Sequence, residues 1–376
     1  MAEVLDLKKL AEKYEYFIKP VYEITINDTK LEEEFLNQEM RAEITAGFEA
    51  SALQFKIYNA FEKQTNQNTI SCKKNISSLL KPGNMVSVNA GYLGKAHICI
   101  FKGYIDGIYL DYEKNGEIVY TIECLDAKGI MMNSIHSESK KSIKKCSLAA
   151  EDVLKKYTAL LKLNTATFYK QDKEMLVPIE QHNESDYHFV VRMAKQIGCS
   201  FYILAGEVFF EHFQKRDKSI AIQYHIQSYL DGFTVYASMK DRVNHILVRS
   251  SNENMPDKAF EAKADSYEKT AENGTASAAS LSNVLTQRVA KVITDVTVTS
   301  NEEAKQRAEV QMNRMAEDVV TGSIKTPGIP ELKPGKICSL EGFGKSFDKK
   351  YYITKVIHTI EKGNFKTICE IEVNQF

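Results

Sequence analysis

Apolar and polar residues alternate with a period of two over much of the chain, beginning near the N-terminus. The alternation runs through residues 21–26, 40–44 and 53–58, and the first run ends at the turn-forming pair Asn27-Asp28. This spacing is typical of β-strands that bury one face and expose the other. The pattern therefore predicts a β-module in the N-terminal third of the chain.

Helical spacing replaces this alternation in the middle of the chain. Ser147 is placed to cap a helix that reaches about Leu161, and a second helix starts near Ser185. A β-hairpin with its turn at Ala205-Gly206 follows the second helix. A third helix is predicted at about residues 301–320, where a capping box precedes a stripe of apolar residues.

The tetrapeptide Leu-Lys-Pro-Gly occurs twice, and each copy opens a similar series of strands. The copies are Leu80, Lys81, Pro82 and Gly83, and Leu332, Lys333, Pro334 and Gly335. About four strands are predicted after each copy, with a turn at Asn115-Gly116 in the first series and at residues 362–364 in the second. This repeat predicts one β-module built twice into the chain. As a trimer, such a chain would present six similar units around an axis.

The predicted fold class is α+β, mainly β, with two similar β-barrel modules and intervening helices and a β-hairpin. We expect four parts: an N-terminal arm or helix at residues 1–19, a first barrel at 20–130, a helical and hairpin domain at 131–227, and a second barrel at 228–376. A loop at about 258–284 and the third helix are expected to interrupt the second barrel. Few large apolar residues lie between positions 261 and 282, which predicts a long loop there.

Composition excludes several classes of protein. The chain has 376 residues and a formal net charge of −1, which gives no long-range attraction to nucleic acid or anionic membrane. We find no apolar run near the roughly 20 residues needed to span a bilayer, and no secretory signal at the N-terminus. The seven cysteines include no Cys-x-x-Cys pair, which argues against a zinc ribbon or a disulfide framework.

Candidate chemical motifs are weak. Gly344-Lys345-Ser346 resembles the end of a phosphate-binding loop, but Ser339 stands where that loop needs a glycine, and a strand is predicted to follow. His182 and His188 flank the second helix start, where surface or capping histidines are more common than a metal pair. We therefore predict no catalytic, cofactor-binding or metal-binding residues, and no enzyme.

A more specific signal lies at the start of the second helix. The run Gln181-His-Asn-Glu-Ser-Asp-Tyr-His-Phe resembles a segment of the superfamily of phage late-control protein D and VgrG proteins. The matching positions are Gln181, Asn183, Glu184, Ser185, Asp186 and Phe189. The residues themselves indicate a structural role, because Ser185 is placed to cap the helix and its acidic neighbours favour the positive end of the helix dipole. The resemblance extends from about Tyr22 to Val373.

Members of that superfamily are the baseplate hubs of contractile phage tails, type VI secretion systems and related injection particles. The resemblance implies a non-enzymatic homotrimer that acts as a symmetry adaptor between a hexameric inner tube protein and a trimeric spike protein. It also implies contacts with other baseplate components and a tape measure protein. Such a hub is made in the bacterial cytoplasm, forms part of the virion tail baseplate or a tail-like particle, and is released by lysis or fired by contraction. VgrG chains continue into a spike, whereas this sequence stops at Phe376, so we expect the spike on a separate chain.

Two other functions stay open at the level of sequence. One is a tail-associated cell-wall hydrolase, although no pair of carboxylates is singled out and no Gly-x-Ser-x-Gly motif occurs. The other is a glycan-binding attachment protein, which the 19 tyrosines permit. Clearing of purified cell wall would favour the first, and glycan binding by the isolated chain would favour the second.

Overall fold

A computed structural model describes most of the chain. The described residues are 4–36, 39–63, 70–112, 117–175, 178–212, 220–225, 231–238, 243–251, 259–264, 290–295, 298, 300–316 and 320–373. The helices are α1 (Leu7–Lys13), α2 (Lys74–Leu79), α3 (Ala127–Asn133), α4 (Cys146–Leu160), α5 (Asp186–Gln196) and α6 (Asn301–Ala316). None of these helices has the length and apolar character needed to cross a bilayer.

Strands dominate the described residues, which confirms the mainly β prediction. They are β1 (Leu5–Asp6), β2 (Pro20–Ile26), β3 (Thr29–Lys30), β4 (Glu39–Thr45), β5 (Ala52–Ile57), β6 (Phe61–Lys63), β7 (Ile70–Cys72), β8 (Met85–Tyr92), β9 (Ile98–Tyr112), β10 (Ile118–Leu125), β11 (Ile135–Ser139), β12 (Asn164–Phe168), β13 (Glu180–Ser185), β14 (Cys199–Leu204), β15 (Glu207–His212), β16 (Ile220–His225), β17 (Gly232–Ala237), β18 (His245–Ser251), β19 (Ala259–Ala264), β20 (Ala290–Thr294), β21 (Val320–Pro327), β22 (Ile337–Glu341), β23 (Lys350–Glu361) and β24 (Asn364–Val373).

One large sheet contains two arrays of five strands with the same order. The first array is β8-β9-β10-β5-β4, and the second array is β22-β23-β24-β21-β17. Every neighbouring pair within both arrays is antiparallel. The two arrays meet where β4 bonds to β23, also antiparallel. Outside the arrays, β2 pairs with β8, and β16 pairs with β22 in parallel.

Each copy of Leu-Lys-Pro-Gly is followed by three strands, so the prediction of about four was wrong. The apolar runs at residues 99–101 and 103–105 belong to the single strand β9, and those at 351–354 and 356–357 belong to β23. Both long strands contain an irregularity at which the pairing register shifts by one residue. Such a bulge reverses the side-chain alternation without ending the strand, which makes one strand resemble two.

The connection between β17 and β21 carries an insertion that the first array lacks. It contains the three-stranded sheet β19-β18-β20 and helix α6, whereas β4 and β5 are joined directly by residues 46–51. Helix α6 packs on β18 and β19 and buries Ala304, Ala308 and Met312. The helix predicted at about 301–320 is described from Asn301 to Ala316, and residues 317–319 lie outside the described residues. Val320 begins β21, so the helix does not reach residue 320.

Three sequence predictions fall wholly or partly outside the described residues. The Asn115-Gly116 turn and the expected start of the second module near residue 228 lie outside them. Most of the loop predicted at residues 261–282 lies outside them as well. The beginning of that predicted loop is strand instead, because residues 261–264 belong to β19 and pair with β18.

The middle of the chain forms a second hydrophobic core between α3, α4, α5 and the hairpin β14–β15. Helix α4 begins at Cys146, so the prediction that Ser147 caps it was wrong. Lys145 occupies the cap position and makes no side-chain cap bond. Ser147 instead lies within the first turn, where its backbone N donates to Asp172 Oδ2 at 3.1 Å. The Asp172 carboxylate thus supplies the acceptor that a capping side chain would have supplied.

Candidate assembly interface

The two Leu-Lys-Pro-Gly copies adopt the same backbone geometry. Gly83 and Gly335 have φ angles of +88° and +85°, which favour glycine because it has no Cβ. The N–H of Gly83 donates to Ile105 O at 2.8 Å, and the N–H of Gly335 donates to Ile353 O at 2.8 Å. Ile105 and Ile353 in turn donate to the residues after the glycines, Asn84 O at 2.9 Å and Lys336 O at 2.8 Å. The repeated tetrapeptide thus starts β8 and β22 in the same way.

The surroundings of the two turns differ. Lys81, Pro82 and Gly83 are exposed, and Leu80 is half-buried. In the second copy Leu332, Pro334 and Gly335 are buried, and Lys333 is half-buried. A Cβ placed on Gly335 would lie 2.9 Å from the hydroxyl of Tyr202, which comes from strand β14. The second turn therefore contacts the middle hairpin, and the first turn is open.

Seven residue pairs join the two arrays. They run from Lys355 opposite Thr45 to Glu361 opposite Glu39. Lys355 Nζ contacts Glu43 Oε2 at 2.5 Å, and this hydrogen bond holds the pKa of the Glu43 carboxyl below its usual value. The apolar face of the joint consists of buried residues from both strands: Met40, Ala42, Ile44, Val356 and Ile360.

His358 lies buried in the same joint. It pairs with Ala42 across the strands, and its Nδ1 lies 3.0 Å from Thr367 Oγ1. Burial lowers the pKa of His358 to about 4. The imidazole is therefore neutral at physiological pH, as a side chain inside an apolar joint must be.

The N-terminal helix links both arrays at a second place. The side chains of Lys13 and Tyr14 both donate to Glu331 Oε1, just before the second tetrapeptide, and the lysine contact is 2.6 Å. Tyr92, at the end of β8, donates its hydroxyl to Gly328 O at 2.7 Å. The rings of Tyr14 and Tyr92 lie 4.6 Å apart, with Tyr14 buried. The first helix thus acts as a clamp across the two arrays.

The segment from Gln181 to Phe189 is built around the carboxylate of Asp186. Gln181 Nε2 donates to Asp186 Oδ1 at 3.0 Å, and the Tyr157 hydroxyl donates to Asp186 Oδ2 at 2.8 Å. Burial alone would raise the pKa of Asp186, but the hydrogen bonds from Gln181 and Tyr157 hold it below its usual value. The buried carboxylate is therefore ionised and ties β13, α4 and α5 together.

The other residues of this segment have separate positions. Ser185 is the N-cap of α5, and its Oγ accepts from His188 N at 3.1 Å. Glu184 accepts from Arg192 on the next turn, and Phe189 is fully buried in the core of the middle region. Asn183 has a φ angle of +44° and lies at the irregularity where the pairing register between β13 and β11 shifts. Pairing between β13 and β11 gave no signal in the sequence.

Neither tetrapeptide nor the Gln181 segment forms a cluster with catalytic chemistry. Within the described ranges, we find no group of three or more His, Cys, Asp or Glu residues that could hold a metal ion. Gly344 has φ +99° and precedes β23, so a strand and not a helix follows this glycine. What the two arrays do present is a strand joint between β4 and β23, which occurs once among the described strands.

Several solved structures share this fold. The 43 kDa tail protein of prophage MuSo2 from Shewanella oneidensis is 11% identical, with a TM-score of 0.68 over 94% of this chain and 98% of that one. A tail protein from Neisseria meningitidis is 10% identical, with a TM-score of 0.63 over 94% and 96% of the two chains. The c3393 protein of E. coli, a component of its type VI secretion system, is 10% identical, with a TM-score of 0.59 over 93% and 76%.

These similarities show that the chain shares the fold of these tail and type VI secretion proteins, which is the fold that the sequence resemblance implied. No curated protein matches the sequence. One family model, described as the Alg8 N-terminal domain, matches residues 62–362. This match covers most of both arrays and all of the middle region. The chain belongs to the family described as the Alg8 N-terminal domain.

Proposed function

We propose that the chain is a structural baseplate hub of a contractile phage tail or tail-like injection system. In this proposal three chains form a homotrimer that joins a hexameric inner tube protein to a trimeric spike protein. Other baseplate components and the tape measure protein contact its periphery and lumen. The protein is made in the bacterial cytoplasm and is carried in the baseplate until lysis or contraction releases it.

The observation that carries the proposal is the internal repeat and its joint. Two arrays with the same strand order and the same opening turn are held edge to edge by β4 and β23. One chain therefore offers two similar units, and three chains offer six. A ring of six units matches a hexameric tube, while the whole chain repeats only three times and matches a threefold spike.

The proposed domain organisation follows from this role. Residues 20–130 and 228–376 form the two ring modules, and residues 131–227 pack outside them. The two Leu-Lys-Pro-Gly turns set the start of equivalent strands, and the Gln181–Phe189 segment stabilises the middle domain without taking part in chemistry. The N-terminal arm, residues 1–19, contains the α1 clamp, which holds the two modules in one orientation. The action of the hub is thus mechanical and not catalytic.

Capping of tubes tests this function. The purified chain carries a gold-labelled tag and is mixed with preassembled tubes of the inner tube protein from the same particle. The proposal predicts label at one end of the tubes, seen by electron microscopy, and competition by unlabelled chain. Label along the tube walls, or no label at either end, contradicts the proposal.

A further inference from the structure

The two arrays can be aligned residue by residue from their hydrogen bonds. Ile105 and Ile353 both bond to the segment that follows the repeated tetrapeptide. Directly after them, Asp106 and Thr354 are both left out of the pairing with the next strand. The opening turn and the bulge thus give the same alignment independently. Residues 107–112 of β9 are therefore equivalent to residues 355–360 of β23.

Burial at these equivalent positions differs sharply. In β23, the exposed fractions of Ile357, His358 and Ile360 are 7%, 1% and 0%. Their equivalents in β9 are Tyr109, Leu110 and Tyr112, with exposed fractions of 54%, 57% and 73%. The β23 residues are covered because β4 bonds to that edge. In the part of the chain that the structure describes, residues 107–112 pair with β10 on one side and with no strand on the other.

The strand equivalent to β4 is β17. Both are the last strand of their array, and both pair antiparallel with an equivalent neighbour, β5 or β21. The second edge of β4 is bonded to β23, whereas among the described strands β17 bonds only to β21. Tyr236 of β17 has 65% of its surface exposed. Among the described strands, the outer edge of β17 and the outer edge of residues 107–112 are therefore the two halves of this joint, each without a counterpart.

We propose that β17 of one chain pairs antiparallel with residues 107–112 of a second copy of this chain, and so repeats between chains the joint that β4 and β23 make within one. The occupant is a second copy because the internal joint already shows that the two edge types fit. The register follows from the alignment. Tyr109 lies opposite Tyr236, Leu110 opposite Val235, and Tyr112 opposite Phe233.

This pairing gives the exposed side chains partners of suitable chemistry. Tyrosine faces tyrosine on one side of the sheet, and aliphatic and aromatic residues face each other on the other side, which are favourable cross-strand pairs. Addition of a strand also satisfies the open backbone donors and acceptors of both edges. The contact is head to tail, and such contacts form a closed ring when the rotation between copies allows it. The inference rests on the proposed trimer, for which it names the contact.

Paired cysteines test the register in the full chain. One variant combines Tyr109→Cys with Tyr236→Cys, and a second combines Leu110→Cys with Val235→Cys. Directly opposite residues on neighbouring strands have Cα atoms close enough for a disulfide, best at the non-hydrogen-bonded pair. The control variant combines Tyr109→Cys with Val235→Cys, which places the sulfurs on opposite faces of the sheet. Each single variant controls for crosslinks to native cysteines.

After mild oxidation with diamide, at least one matched variant is expected to yield covalent dimers and trimers on non-reducing gels. The yield should exceed that of the mismatched control about tenfold, because only the matched sulfurs reach each other. Equal crosslinking in matched and mismatched variants overturns the proposed register. A trimer by native mass that gives no matched crosslink overturns this inference and leaves the proposed hub intact. A monomer that gives no crosslink contradicts both.

Discussion

The buried histidine of the internal joint makes the stability of the chain depend on pH. His358 has a folded-state pKa of about 4, well below the value near 6.5 of an unfolded histidine. Between these two values the unfolded chain binds the extra proton and the folded chain does not. The contribution of His358 to the free energy of unfolding is therefore at its full value above about pH 6.5 and falls as the pH drops toward 4.

The size of this effect follows from the two pKa values. Lowering the pH from 7.5 to 5 should cost about 2 kcal/mol through this one group. Urea unfolding followed by tyrosine fluorescence or circular dichroism measures the free energy at both pH values. His358→Gln removes the titrating group, so its loss between the two pH values should be smaller than that of the unchanged protein by about this amount.

Two further variants sharpen the test. His358→Leu introduces the residue found at the equivalent position 110, and it should also remove the pH-dependent part. His182→Gln changes an exposed histidine outside the joint and serves as the matched control. If His358→Gln and His358→Leu lose as much stability between pH 7.5 and 5 as the unchanged protein, His358 is not the source of the pH dependence.

Three other experiments test separate parts of the structure. Gly83→Ala and Gly335→Ala both place a Cβ on a left-handed residue, which should lower the free energy of unfolding by about 1–2 kcal/mol. In urea unfolding, Gly335→Ala should cost clearly more than Gly83→Ala, because its Cβ meets a tyrosine hydroxyl. Equal costs would contradict the contact between that turn and the middle hairpin. Lys128→Met removes a fully buried ammonium that donates to Gly47 O at 3.3 Å and lies beside the buried carboxylate of Asp126. The free energy of unfolding at pH 7 should therefore fall by roughly 3 kcal/mol. A loss below about 1 kcal/mol would show that the pair is not buried as described. Leu110→Asp should shift the trimer toward monomer in analytical ultracentrifugation, with little change in the stability of the monomer. Leu160→Asp, at a similarly exposed residue on α4, should leave the trimer intact. Equal behaviour of the two variants would contradict a contact between chains at the β9 edge.

The local elements of the fold could be predicted because their signals lie within a few residues. The alternation at residues 20–26 and the helical spacing near Ser185 arise because one face of each strand or helix is buried. The bulges also left a signal. Apolar side chains follow one phase up to Ile353 and the opposite phase from Val356 onward, which is the mark of one extra residue in a strand. On the sequence alone, such a change of phase equally predicts the end of one strand and the start of another, which gives about four strands where the structure has three.

The long-range features left no such signal. The joint between β4 and β23 connects residues more than 300 positions apart. The sequence around Met40 or Ile360 does not indicate which strand each residue pairs with. The parallel pairing of β16 with β22 is equally non-local. Ser147 is a residue type that commonly caps a helix, but in the structure the acceptor at the start of α4 is the carboxylate of Asp172, 25 positions away in the sequence. In each case tertiary packing, and not local preference, decided the outcome.

The native mass of the purified chain shows whether three chains assemble into a hub. At micromolar concentration and neutral pH, we expect a particle of about 128 kDa, which is three chains of 42.6 kDa. That mass should be kept when the protein is diluted, because each chain contributes one of each exposed edge to the ring. A particle of 42.6 kDa under the same conditions would contradict the threefold hub and the strand joint between its chains.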